Sequence, residues 1–188
     1  MTEDTRFVTL AEAQVPGPSL PAARPGPARR IPISNDLDVV AARVEGRNLA
    51  REMGFGIIDQ ARIATAISEL ARNVVLYAQS GEIILSQVEG EAARADAEAQ
   101  GGAPLGAGLE IVCRDEGPGI PDVEEVMNRP PAVVLGAGLG SWGSDGGSRE
   151  MEGVGMGLAG TRRLMDEFQI ASRVGEGTTV VARRWLRL

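Results

Sequence analysis

A chain of 188 residues, 43% hydrophobic and with a formal net charge of −7, can bury one sizeable core, so a single domain with additional segments is expected. The basic residues lie scattered along an acidic chain, which argues against nucleic-acid binding, because neutralising phosphates needs a basic surface. All 19 basic residues are arginine and there is no histidine. That excludes Ser-His catalysis, histidine-metal sites, a P-loop and a kinase built on a strand lysine.

Residues 1–29 carry Pro16, Pro18, Pro21, Pro25 and Pro27 among glycines and alanines and present no periodic apolar face, so a disordered tail is expected there. No apolar stretch approaches the roughly 18 residues of a membrane span, and no signal-peptide core is seen. Cys113, the single cysteine, cannot form an internal disulfide, which suits a reducing compartment. A cytoplasmic protein is expected.

The domain, residues 30–188, opens with a strand at 30–33. A helix over about 37–53 follows, capped by Ser34 or Asp36, with Val39, Val40, Val44 and Leu49 on its inner stripe. Asp59 can cap a second helix to about residue 77, where Ile63, Ala66, Ile67, Leu70, Val74 and Val75 keep the helical period. Residues 81–88 and 109–115 read as antiparallel strands separated by an Ala/Glu/Gly-rich insertion at 89–108. A short helix at 121–127, a Gly-rich stretch at 129–152 and a third helix over 156–168 come next. A hairpin of 169–173 and 178–186 closes the chain. The sum is a two-layer α/β sandwich, with helices on one face of a mixed, mainly antiparallel sheet.

Four motifs carry chemistry. Glu69 and Asn73 are four apart and so share one helical face, bordered by apolar residues at 66, 67, 70 and 74. An amide oxygen there can ligate Mg²⁺, and a carboxylate can take a proton from an attacking hydroxyl. Asp115-Glu-Gly117-Pro-Gly119-Ile ends an apolar strand, which leaves a carboxylate facing open backbone where the exocyclic amine of adenine can bind. Gly153-Val-Gly155-Met-Gly157-Leu-Ala-Gly160 contains a literal dinucleotide fingerprint, but no strand precedes it and no ribose-binding acid stands about 20 residues beyond, so a Rossmann reading is rejected. A helix starts within it, and its N–H groups can cradle phosphates. Gly177-Thr178-Thr179 is the fourth part in order. Arg162 and Arg163 read as solvated, and Trp142 and Trp185 as packing residues.

In this order the four motifs resemble the GHKL ATP-binding superfamily of gyrase, Hsp90, histidine kinases and MutL. The blocks Gly54-Phe-Gly, Asp59-Gln-Ala-Arg-Ile-Ala-Thr-Ala-Ile-Ser-Glu-Leu-Ala-Arg-Asn73, Asp115-Glu-Gly-Pro-Gly-Ile-Pro-Asp122 and Arg163-Leu-Met-Asp-Glu-Phe168 are similar to the bacterial stressosome switch kinase. That family is a serine/threonine kinase grouped with the anti-sigma-factor kinases. The resemblance implies a Bergerat-type ATP-binding fold, with Glu69 as catalytic base and Asn73 as Mg²⁺ ligand. It implies that Asp115 reads adenine over a floor of Gly117 and Gly119. Gly153, Gly155 and Gly157 would line the phosphates, and Thr178 or Thr179 would support the adenine contact. It further implies ATP and Mg²⁺ as cofactors, a STAS-domain scaffold as substrate, and a PP2C-type phosphatase or other output enzyme as the switched partner. The lid departs from the family: 129–152 is about twenty residues longer, which costs little in closure entropy, and lacks the usual Ser-Thr pair. A nucleotide-gated anti-sigma-type binding module is the alternative.

Overall fold

The computed structural model describes residues 6–9, 24–25, 27–89, 106–128 and 157–187. In chain order the elements are β1 (Arg6–Thr9), β2 (Arg24–Pro25), β3 (Arg29–Ile33), α1 (Asp36–Glu52), α2 (Ile57–Asn73), a π-helical turn (Val74–Ala78), β4 (Gly81–Glu89), β5 (Ala107–Asp115), α3 (Val123–Asn128), α4 (Gly157–Leu164), β6 (Glu167–Arg173) and β7 (Gly177–Trp185).

The α1 helix starts at Asn35, which sits between the two caps expected from sequence. Its side chain accepts from the Leu37 and Asp38 amides at 2.9 and 3.2 Å, while Asp38 Oδ2 accepts from the Asn35 amide at 3.2 Å. This reciprocal box satisfies donors the helix itself leaves open. The Ser34 hydroxyl and amide also bond Asp38 and hold its carboxyl below the usual range. At the far end Gly54 takes φ +88°, and the Gly54 and Phe55 amides return to the Arg51 and Ala50 carbonyls, both at 3.0 Å. That left-handed wrap ends the helix and turns buried Phe55 inward.

One sheet runs in the order β1-β6-β7-β5-β4-β2, with β3 also on β4. Every pairing is antiparallel except β1 with β6, so the sheet is mixed as expected. Its helix-facing residues, among them Leu85, Ile111, Cys113, Phe168, Ile170 and Val180, pack against Ile63, Ile67, Leu70 and Val74 in one core. A smaller cluster of Ile84, Val112 and Val181 lies on the opposite face. Two-residue alternation along each strand sorts the two sets.

Four expectations are corrected. The proline-rich tail contributes two short strands: Arg6–Thr9 adds to the edge of β6 and Arg24–Pro25 to the edge of β4. Edge strands offer unpaired backbone groups that recruit even short segments, and an edge tolerates the proline's missing N–H; Arg29 already belongs to β3, and residues 1–5, 10–23 and 26 lie outside the described set. Val40 and Val44 are 48% and 50% exposed, and the inner stripe of α1 is Val39, Ala42, Gly46, Leu49 and Ala50. The third helix stops at Leu164, because Asp166 is drawn to the sheet. Its amide donates to the Arg183 carbonyl at 2.9 Å, and its carboxylate accepts from the Trp185 amide at 2.8 Å. Phe168 and Ile170 then alternate on the core face as strand residues.

Asp59 is not a cap, since Gly56 precedes α2. It instead pairs at 2.8 Å with Arg184, whose guanidinium also meets Asp166 at 2.8 Å and is only 6% exposed. A cation this deep is tolerated because two carboxylates face it. Of the insertions expected at 89–108 and 129–152, Glu89 belongs to β4 and Ala107 opens β5, while 90–105 and 129–152 lie outside the described residues.

Candidate functional site

The site is built on one cross-strand row. Antiparallel register sets Gly81 of β4 opposite Asp115 of β5, Asp115 opposite Thr178 of β7, and Thr178 opposite Ser172 of β6. Side chains along such a row project from the same face. Asp115 shares its face with Cys113, and Thr178 with Val180, so the row points toward the helices.

The Asp115 carboxylate is half-buried and fixed from below. Its Oδ1 accepts from the Gly117 amide at 2.9 Å and from the Thr178 amide at 3.2 Å. Among the described residues Oδ2 has no donor, so one oxygen anchors the group and the other is left to accept from a ligand. Around the carboxylate the backbone packs too closely for any side chain but glycine's. A Cβ on Gly81 would stand 2.4 Å from the Arg114 carbonyl oxygen and 3.2 Å from the Asp115 Cβ, and one on Gly117 would stand 2.6 Å from the Ala78 Cβ. Gly119 takes φ +71°, with its would-be Cβ 1.9 Å from the Arg173 carbonyl oxygen. This loop is therefore laid directly on the β6–β7 turn, where the Gly175 amide also donates to the Pro118 carbonyl at 2.8 Å.

Ser172, which the sequence reading did not single out, joins the two motifs. Its Oγ accepts from the Ile120 amide at 2.8 Å, lies 3.0 Å from the Gly177 carbonyl and 2.8 Å from Thr178 Oγ1. The turn at 174–176 pairs Arg173 with Gly177 and hence Ser172 with Thr178, so hairpin register was the signal that would have found it. Gly81 could have been found the same way, as the first residue of the strand opposite Asp115.

The α2 helix supplies the second wall. Glu69 Oε2 accepts from the Gly157 amide, the first of α4, at 3.2 Å. Asn73, four residues on and half-buried, is the last residue of α2. The turn that follows it packs on the Asp115 surroundings: Val74 Cγ1 lies 2.9 Å from the Gly81 Cβ position, and Ala78 abuts Gly117. Cys113 Sγ, 3.9 Å from the Leu70 carbonyl, fills the junction beneath, and burial together with the nearby Asp115 charge pushes its thiol pKa up.

The structure thus places Glu69 on Gly157, Asn73 at the turn against the Asp115 row, and Gly117, Gly119 and Thr178 around Asp115. Thr179 does not join them. It shares the face of Val181, opposite the helices, because neighbouring strand residues alternate. Gly153 and Gly155 lie outside the described residues. A carboxylate with one oxygen free of donors among the described residues, a glycine loop beside it, and a helix start held by Glu69 fit an adenine nucleotide. The half-buried Asn73 amide fits a hard cation that takes oxygen ligands.

The chain belongs to the ATP-binding family described as histidine kinase-, DNA gyrase B- and HSP90-like ATPase, whose match spans residues 58–187. Within that class it is 44% identical over 155 residues to the serine/threonine-protein kinase RsbT of Bacillus subtilis, covering 82% of this chain and 94% of that protein. Among solved structures it resembles the RsbU and RsbW domains of Rv1364c from Mycobacterium tuberculosis, with TM-score 0.50 and 19% identity. That match covers 87% of this chain but 34% of the longer one, and it concerns the fold alone. No helix among the described residues is long and apolar enough to cross a membrane.

Proposed function

We propose that this chain is an ATP-dependent serine/threonine protein kinase that works as a partner switch in bacterial stress signalling, with residues 30–188 as its catalytic domain. The observation that carries the nucleotide half is the Asp115 carboxylate, held through Oδ1 by two backbone amides while Oδ2 has no donor among the described residues. Oδ2 would accept from the adenine amine above the Gly117–Gly119 loop, and Thr178 would hold the contact in register through Ser172. Thr179, on the other face, has no part in it. Gly153, Gly155 and Gly157 would give their amides to the phosphates at the start of α4, where the helix dipole favours negative charge.

Asn73 would hold Mg²⁺, which when bound neutralises charge on the triphosphate. In the structure Glu69 accepts from the Gly157 amide. A triphosphate that took over this amide would release the carboxylate to receive the proton of the attacking hydroxyl. The likeness to a serine/threonine kinase over most of both chains supports phosphotransfer as the outcome. The substrate would be a serine or threonine on a STAS-domain scaffold, and release from it would free the kinase for a PP2C-type phosphatase or another output enzyme.

Glu69→Gln keeps an oxygen for the Gly157 amide but no basic carboxylate. It is expected to bind Mg·ATP like the parent and to lose phosphotransfer by about 10²-fold or more, the range of a general base. Radiolabelled transfer to a STAS-domain protein that continues undiminished in Glu69→Gln would remove Glu69 from the mechanism.

A further inference from the structure

The α1 helix turns outward a face that folding does not use. Leu37 is 80% exposed, Val40 48% and Val44 50%. With Ala41 they fall at i, i+3, i+4 and i+7, the spacing of an apolar stripe that normally meets a core. Here the core is met by the opposite stripe, Val39, Ala42, Gly46, Leu49 and Ala50. Helix propensity does not explain the outer stripe either, since valine is a poor choice for an exposed helical position.

Beyond Val44 the same ridge becomes basic. Arg47 and Arg51 continue it one and two turns on, with Arg43 on its flank, all three exposed. Among the described residues Arg43 and Arg47 have no ion pair, and Arg51 bonds only Asn48, at 3.2 Å. Of the four acids of the same helix, three are already occupied: Glu45 and Glu52 both pair with Arg29, at 2.7 and 2.6 Å, and Asp38 serves the capping box. The fourth, Asp36, stands at the N-terminal end of the ridge, two turns before Arg43 and further from Arg47 and Arg51. In a chain of net charge −7, three arginines left without carboxylates beside an apolar stripe form a surface of opposite character to the rest.

The geometry points to this ridge as the docking surface for an acidic amphipathic helix of a partner protein. A convex apolar ridge fits the groove beside another helix, and acids flanking the partner's stripe would meet Arg43, Arg47 and Arg51. A second copy fits less well, because it brings the same arginines and another −7. The inference does not depend on the phosphotransfer reading, since the ridge uses none of the nucleotide-site residues.

The probe is a labelled helical peptide with leucines at the same spacing and glutamates on its flanks, set against a twin in which each glutamate is lysine. By fluorescence anisotropy the full-length protein should prefer the glutamate peptide by about tenfold or more at low salt, with the gap narrowing as salt screens the charges. Replacing all three arginines by glutamate should reverse that order, and Val44→Asp should abolish binding of both peptides. Mg·ATP binding should be unchanged in both variants, which separates failure of the ridge from failure of the nucleotide site. Equal binding of the twins, or binding that survives the ridge variants, would overturn the proposal. So would a dimer in sedimentation that Val44→Asp dissociates, since the ridge would then serve a second copy.

Discussion

Gly119→Ala separates backbone strain from the contact that seals the Gly117–Gly119 loop. Gly119 has φ +71°, and an added Cβ would lie 1.9 Å from the Arg173 carbonyl oxygen, where real contacts do not fall below 3.0 Å. The two backbones must therefore part by at least 3.0 − 1.9 = 1.1 Å. That movement breaks the Gly175–Pro118 backbone bond and the Ile120–Ser172 bond, both 2.8 Å. The left-handed conformation costs about 1–2 kcal/mol and each lost bond about 1, giving about 3–4 kcal/mol in all. Gly54→Ala is the internal control. Its φ is +88° but nothing lies within 4 Å of its Cβ position, so about 1–2 kcal/mol of strain alone is expected. Urea unfolding should rank the variants in that order, and calorimetry should find ATP binding weakened only in Gly119→Ala. Equal destabilisation of the two, with ATP affinity intact in both, would refute the reasoning that the loop is sealed onto the β6–β7 turn.

Two further perturbations follow. Arg184→Ala removes the buried guanidinium that joins Asp59 to Asp166 and leaves them only the outer cations Arg62 and Arg187. It is expected to cost about 2–3 kcal/mol of stability, read as a fall in urea midpoint, and a loss below about 1 kcal/mol would show the network to be incidental. Thr178→Val removes the hydroxyl that meets Ser172 and should weaken ATP binding about fivefold, the equivalent of one hydrogen bond, whereas Thr179→Val, on the opposite face, should leave it unchanged; the reverse pattern would misplace the adenine site.

Much of the fold was legible because strong periodicity rarely misleads. The apolar runs of β4 and β5 and the stripe of α2 were placed within a few residues, and the sheet's mixed, mainly antiparallel character followed from them. Errors arose where tertiary contacts decide. In α1 valines stand on both faces, so the pattern alone could not tell the core stripe from the outer one, and it put Val40 and Val44 inside. Asp59 looked like a cap until its partner Arg184, 125 residues away, was seen. Helical spacing ran past Leu164 because Asp166 is claimed by the sheet, which local sequence does not record. In the site, Asp115, Gly117 and Gly119 were readable from one short motif. Ser172 and Gly81 were not, since only strand register brings them to Asp115, and the same alternation excludes Thr179.

Calorimetry of ATP and ITP binding, in the presence of magnesium, to the parent and Asp115→Asn puts the adenine contact to the most direct test. In the variant the amide oxygen would stay with the Gly117 and Thr178 amides, turning an NH₂ toward the purine. The parent should prefer ATP; the variant should bind ATP at least about tenfold more weakly, the scale of a charge-assisted hydrogen bond, and should shift toward the 6-oxo purine of ITP. ATP affinity equal to the parent's in Asp115→Asn would contradict the assignment of this carboxylate to the base.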